Sequence, residues 1–185
     1  MRRWYQSRAC KLLLCVGVLH GMSDVPVMQA QMATDYQVKA AYVYAFTKFV
    51  EWPPDRLASP TAPIQICILN DPAVQSELRR LVSGKSVAGH SILVRDVNGE
   101  EGLRECHVLF IGSGNGSTPQ HMLQSLQGAS ILTIGERQGF LDAGGIINLI
   151  SQDEHVRFQV NRRAAKAAGI HVSARLLSVA TLVVE

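Results

Sequence analysis

Short apolar runs alternating with helix-length amphipathic segments predict an α/β fold, a three-layer α/β/α domain whose mostly parallel sheet ends in a C-terminal antiparallel hairpin. Three observations carry the prediction. Apolar runs at 64–69 (IQICIL), 91–97, 107–111 (HVLFI) and 130–134 (SILTI) are interleaved with helical segments, the rhythm of a doubly wound sheet. The run at 107–111 is apolar almost throughout, as a strand buried on both faces must be. Finally, the runs at 146–150 and 155–160 are separated by four residues, too few for a parallel crossover but enough for a hairpin.

In chain order, the first element is a leader. Arg2, Arg3, Arg8 and Lys11 precede a short apolar run at 12–19 (LLLCVGVL), and small residues follow at Ala30 and Ala33, the order of a secretory signal peptide. The apolar run is too short to span a bilayer, which takes about 20 residues. Residues 1–30 are therefore predicted to be removed, with cleavage after Ala30 or Ala33, leaving a single domain at 31–185. Val38, Ala41, Tyr42, Ala45, Phe46 and Phe49 form a helical stripe that starts at a Thr34/Gln37 capping box and stops at Pro53 and Pro54. A proline-rich loop (53–63) leads to the first strand, then a helix at 72–83 ends at Gly84, and a turn at 88–89 opens the second strand. A helix at 118–127 separates the third and fourth strands. After the hairpin, Asn161 caps a helix ended by Gly169, and Ser173 caps a last helix running to residue 183.

The charge balance argues against nucleic acid. The leader holds four of the 18 basic residues and one of the 15 acidic ones, so the remainder is formally neutral, and the precursor's basic character says nothing about a polyanionic partner. No basic cluster exceeds the pairs at 79–80 and 162–163. No later segment is apolar for long enough to anchor the chain in a membrane.

Of four cysteines, Cys10 and Cys15 fall in the leader, whereas Cys67 lies in the first strand and Cys106 directly before the third. Two readings are open, a disulfide between neighbouring strands, favoured by an oxidising compartment, or two buried thiols. There is no Cys-x-x-Cys redox motif, and His90, His107, His121, His155 and His171 show no metal-ligand spacing, so neither metal nor cofactor is expected. The glycine-rich connection at 112–117 lies where this architecture holds ligands, which makes Gly114 and Asn115 candidate contacts. It nonetheless lacks both the P-loop lysine and the dinucleotide spacing. Phe140 and Leu141, set between Gly139 and the glycines at 144–145, read either as an exposed apolar pair that contacts a partner or as a residue tucked under its own loop. No nucleophile and base are arranged for catalysis, and the chain reads as a non-enzyme.

These motifs together resemble the YfiR family of exported regulators. The opening helix KAAYVYAFTKFVEWP (39–53) is closely similar, and the likeness continues through ICIL (66–69), GKSV (84–87), CHVLFI (106–111), ILTIG (131–135), GF (139–140), GGII (144–147), VRF (156–158), VN (160–161), AG (168–169) and SARLL (173–177). The resemblance implies a non-enzymatic periplasmic domain, often a homodimer. Such a domain binds and represses the periplasmic sensor region of an inner-membrane diguanylate cyclase, lowering cyclic di-GMP output, or serves a sensor kinase. It also maps the family's first cysteine pair onto Cys67 and Cys106, while a second pair found in some members has no counterpart here. The alternative function is a periplasmic small-molecule binding or sensor domain serving a receptor, transporter or histidine kinase.

Overall fold

The computed structural model describes residues 25–57, 59–97, 100–114 and 120–185. Most of the leader read at 1–30 thus lies outside the described residues. Helix α1 (Val25–Phe46) starts well before the Thr34 capping box, since Gln, Ala and Met favour helix and Pro26 suits a first turn. Its buried line runs through Ala40, Val43 and Phe46 to Thr47 just past its end, and Ala41, which the predicted stripe included, faces solvent. The helix is apolar on most of its circumference, so the partners decide which line is covered: α2 on one flank and the hairpin on the other.

Strand β1 (Val50–Glu51) follows α1 and pairs antiparallel with β9 (His171–Val172), a two-residue ribbon too short to read from sequence. The remaining elements are β2 (Ile64–Leu69), α2 (Pro72–Val82), β3 (Ser86–Val87), β4 (His90–Asp96), a 3-10 turn at Leu103–Glu105, β5 (Val108–Ile111), α3 (Gln120–Ser125) and β6 (Leu132–Gly135). The chain closes with β7 (Ile147–Gln152), β8 (His155–Asn161), α4 (Arg162–Ala167), α5 (Ala174–Leu177) and β10 (Leu182–Val184). They form an eight-stranded sheet in the order β10-β8-β7-β6-β5-β2-β4-β3. Only the β3–β4 and β7–β8 pairs are antiparallel, so the predicted mostly parallel three-layer sheet with its hairpin is what the chain forms.

Alternation along the central strands divides the core. Ile64, Ile66 and Ile68 of β2, Val108 and Phe110 of β5, and Leu132 and Ile134 of β6 pack with residues of α1, α2, α4 and α5. Cys67, Leu69, Leu109 and Ile111 point the other way, toward Leu123 of α3 and the loop at 136–145. At the hairpin turn Asp153 and Glu154 both take positive φ, as a two-residue turn between twisted strands requires. The predicted last helix stops at Leu177. Beyond it the β-branched run Thr181, Val183, Val184 favours a strand, and the Thr181 backbone N–H and hydroxyl both donate to the Phe158 carbonyl at 2.9 Å, which steers β10 alongside β8.

His107 fastens the proline-rich loop to the sheet. Its Nδ1 accepts from the Gln65 N–H at 3.0 Å, so the proton sits on Nε2 and donates to the Arg56 carbonyl at 3.2 Å, while Trp52 Nε1 donates to the His107 carbonyl at 3.1 Å. Burial, with the charges of Arg56 and His90 acting in the same direction, holds the imidazole pKa below the ordinary histidine value. A lowered histidine pKa means that the unfolded chain takes up the proton first as pH falls. Stability from this group should therefore be complete above about 6.5 and decline below it. Denaturation midpoints between pH 7.5 and 5 should fall for the wild type and lose part of that slope in His107→Gln; equal slopes would contradict the assignment.

Candidate functional site

Doubly wound sheets bind ligands at the carboxyl ends of their strands, at the point where strand order reverses. Here the reversal lies between β2 and β5, because β2 is flanked by β4 on one side and β5 on the other. The loops leaving these strands close on each other. A Cβ at Gly112 would stand 2.7 Å from the Asp71 Cβ and 2.9 Å from the Asn70 carbonyl oxygen, and one at Gly114 would stand 3.0 Å from that same oxygen. The glycines serve this close approach, which brings the two loops into contact at the mouth of the crevice. Asp71 is meanwhile engaged in capping α2, accepting from the Val74 N–H at 3.0 Å.

The open space lies one strand further along, in a cleft of about 540 Å³ between the end of β6 and the hairpin. On its α1 side, Lys39 Nζ lies 2.6 Å from Glu136 Oε2, and both side chains are largely buried. Glu136 Oε1 accepts from the Ser113 N–H at 2.7 Å, and the Arg137 guanidinium donates to the carbonyls of Ser113 and Gly114. Burial works against the Lys39 ammonium, but Glu136, with Asp71 and Asp35 further off, outweighs it and raises its pKa. Burial likewise opposes the Glu136 carboxylate, and Lys39 and the Ser113 donors overcome it, holding its pKa below the usual glutamate range. Asp71 is raised, first by burial and then by the Glu136 charge, against the pull of the Val74 N–H. Glu136 thus contributes stability above about pH 4.3, lost as the pH falls through its lowered pKa, whereas the Lys39 contribution is lost only at strongly alkaline pH. Glu136→Gln should cost about 1–2 kcal/mol at pH 7, less than a fully buried pair because the cleft admits water, and the difference from wild type should shrink in acid. Urea titrations at pH 7 and pH 3.5 measure both.

The far wall is the hairpin. Asn148 and Gln159 are opposed in register on one face of β7 and β8, next to Leu182 and Val184 of β10. Asn148 is 4% exposed, and its Oδ1 has no hydrogen-bond partner.

The residues singled out in the sequence are placed as follows. Cys67 and Cys106 form a disulfide, with Cα atoms 5.9 Å apart, tying β2 to the entry of its neighbour β5. Phe140 and Leu141 are not an exposed pair: they are 1% and 8% exposed. The Phe140 ring lies between Gly135 and Gly145, where a Cβ at either glycine would collide with it, and the Gly145 N–H closes the loop on the Phe140 carbonyl at 2.9 Å. Leu141 is fixed by its carbonyl, which accepts from Asn161 Nδ2 at 3.0 Å, while Asn161 Oδ1 caps α4. Both apolar residues still border the cleft. Gly114 receives Arg137, and Asn115 lies outside the described residues. Sequence reasoning missed Lys39, Glu136, Arg137 and Asn148. The available signals were an acid–base doublet directly after an apolar strand and a lone amide inside IINLI. Among the described residues no group of three or more His, Cys, Asp or Glu side chains could hold a metal ion.

A doubly wound sheet stapled by a buried disulfide, with a mixed polar and apolar cleft beside a C-terminal hairpin, defines a three-layer α/β domain. The chain belongs to the YfiR/HmsC-like family, whose profile matches residues 36–181. Among solved structures it is similar to a conserved domain protein from Vibrio cholerae, with 14% identity, a TM-score of 0.56, and coverage of 78% of this chain and 59% of that one. It is also similar to an ABC domain from Streptococcus pneumonia in complex with L-Trp, with 11% identity, a TM-score of 0.52, and coverage of 80% and 60%. The chain therefore spans about three fifths of either structure's length, and at these identities the likeness is one of fold. No curated protein matches it.

Proposed function

We propose that the protein is a periplasmic, non-enzymatic regulator, exported by a leader cleaved after Ala30 or Ala33. It would act as a homodimer that binds and represses the periplasmic sensor region of an inner-membrane diguanylate cyclase. The observation that carries this reading is membership of the YfiR/HmsC-like family over nearly the whole folded domain. The buried Cys67–Cys106 bridge is consistent with an oxidising compartment. Among the described residues no helix is long and apolar enough to cross a membrane, so contact with a membrane enzyme would be made from outside the bilayer.

Repression by a binding protein needs only a difference in its affinity for two states of the partner. A change in envelope conditions that altered this affinity would set cyclic di-GMP output without any chemistry in the regulator. Cross-linking in intact cells followed by purification from solubilised membranes should recover a diguanylate cyclase, and deletion should raise cyclic di-GMP. Recovery of a sensor kinase with unchanged cyclic di-GMP would reassign the partner. Recovery of neither, with unchanged cyclic di-GMP, would defeat the proposal.

A further inference from the structure

The cleft beside the hairpin combines an internally paired charge network with a buried, unpartnered amide oxygen in its wall. Its buried charges, Lys39 and Glu136, are paired with each other, and the second oxygen of Glu136 and the Arg137 guanidinium are occupied by the 113–114 backbone. A charged ligand would find no buried opposite charge waiting for it. What remains unsatisfied is the Asn148 side chain, 4% exposed, in the cleft wall, with Oδ1 unpartnered. A buried acceptor without a partner is destabilising, and native structures keep few of them. Its neighbours Leu149 and Ile147 are apolar and buried, so a leucine at 148 would suit the strand better if packing alone decided the position.

Gln159 lies opposite Asn148 in the ladder, which sets two carboxamides side by side, and Leu182, 46% exposed, pairs with Gln159 on the outer side. A carboxamide presents a donor and an acceptor in one plane and recognises a ligand edge presenting the reverse pair. The geometry points to a small-molecule site here, taking a neutral ligand of roughly 7–20 non-hydrogen atoms whose amide- or lactam-type N–H/C=O edge pairs with Asn148 and whose apolar body rests on Leu182 and Val184. The cleft volume of about 540 Å³ lies in the range of small-molecule sites. The site is independent of the identity of the membrane partner and would supply the regulator with a chemical input.

The test is a protein-observed NMR titration of the intact protein with benzamide, nicotinamide and δ-valerolactam, with N,N-dimethylbenzamide as the probe that lacks the N–H donor. Expected are saturable shifts of residues 148, 159, 182 and 184. Affinity should be weakened on the order of tenfold for the dimethylated probe and again in Asn148→Leu, as loss of one buried hydrogen bond implies. The free Asn148→Leu protein should melt no lower than wild type, because it removes an unpaired acceptor. Leu182→Arg, at an exposed position where folding is not at stake, should weaken binding without changing the melt. Absence of saturable binding by every N–H probe would overturn the proposal, as would equal binding of both benzamides. A markedly lower melt or failure to fold in Asn148→Leu would also overturn it, since the amide would then have a structural partner.

Discussion

Phe140→Ala is expected to destabilise the protein by about 3–5 kcal/mol, the usual cost of emptying a buried aromatic site. The ring is 1% exposed and fills the space left by two missing side chains, those of Gly135 and Gly145. Three positions therefore form one packing unit. Gly145→Ala should be costly as well, by about 1–3 kcal/mol, because the ring cannot move without leaving its layer. The double change Gly145→Ala with Phe140→Leu should cost less than the sum of the separate changes, the signature of residues sharing one space. Guanidinium titrations of the wild type, Phe140→Ala, Phe140→Leu, Gly145→Ala and the double variant would measure this, and a loss below about 1 kcal/mol for Phe140→Ala would mean that the loop packs in some other way. The same loop carries Glu136 and Arg137, so the aromatic plug also positions the charged wall of the cleft.

Opening the Cys67–Cys106 bridge should lower stability by about 3–4 kcal/mol, the chain-entropy value for a closure spanning 39 residues. That closure takes in α2 and the β3–β4 edge, so reduction frees an excursion of the chain that is then held by strand hydrogen bonds and by the core packing of Val74, Leu78 and Val82. Both cysteines are fully buried, with Cys106 beneath the 3-10 turn that precedes it. Dithiothreitol should accordingly react slowly with the native protein and quickly in denaturant. Fast native reduction with little loss of stability would instead mark the bridge as an accessible redox switch. The structure favours a staple.

Sequence legibility followed the periodicity. The runs forming β2, β5 and the hairpin stand out because their neighbours are turns, and the Asn161 and Ser173 caps were readable because a side-chain oxygen acceptor precedes a short helix. The end of the chain was misread for a physical reason: residues 178–183 carry helix-compatible apolar residues, and the β-branched side chains at 181, 183 and 184 together with the tertiary contact of Thr181 with Phe158 decide for a strand. The buried line of α1 was misplaced by one position, since alanines and tyrosines surround the helix and its partners alone choose among them. The charged wall was illegible because Lys39 and Glu136 are nearly a hundred residues apart and meet only when α1 lies across the carboxyl end of β6. For Phe140 the glycines pointed to the right loop, yet their purpose was to make room for the ring rather than to display it.

The close contact between the loops that leave β2 and β5 has an evolutionary consequence. Loops at a strand-order reversal are ordinarily held to particular residues by the molecule they grip. Here their described residues close on each other and on the Glu136 and Arg137 side chains, and between the two loops the requirement is clearance: no Cβ at residue 112, and a capping oxygen at residue 71. Lineages descended from this sequence should keep those two positions, hold residue 70, at φ 61°, to asparagine, aspartate or glycine, and retain at residue 113 a donor for Glu136. A single alanine at 112 would be the first step by which the architecture's customary binding place could be reopened.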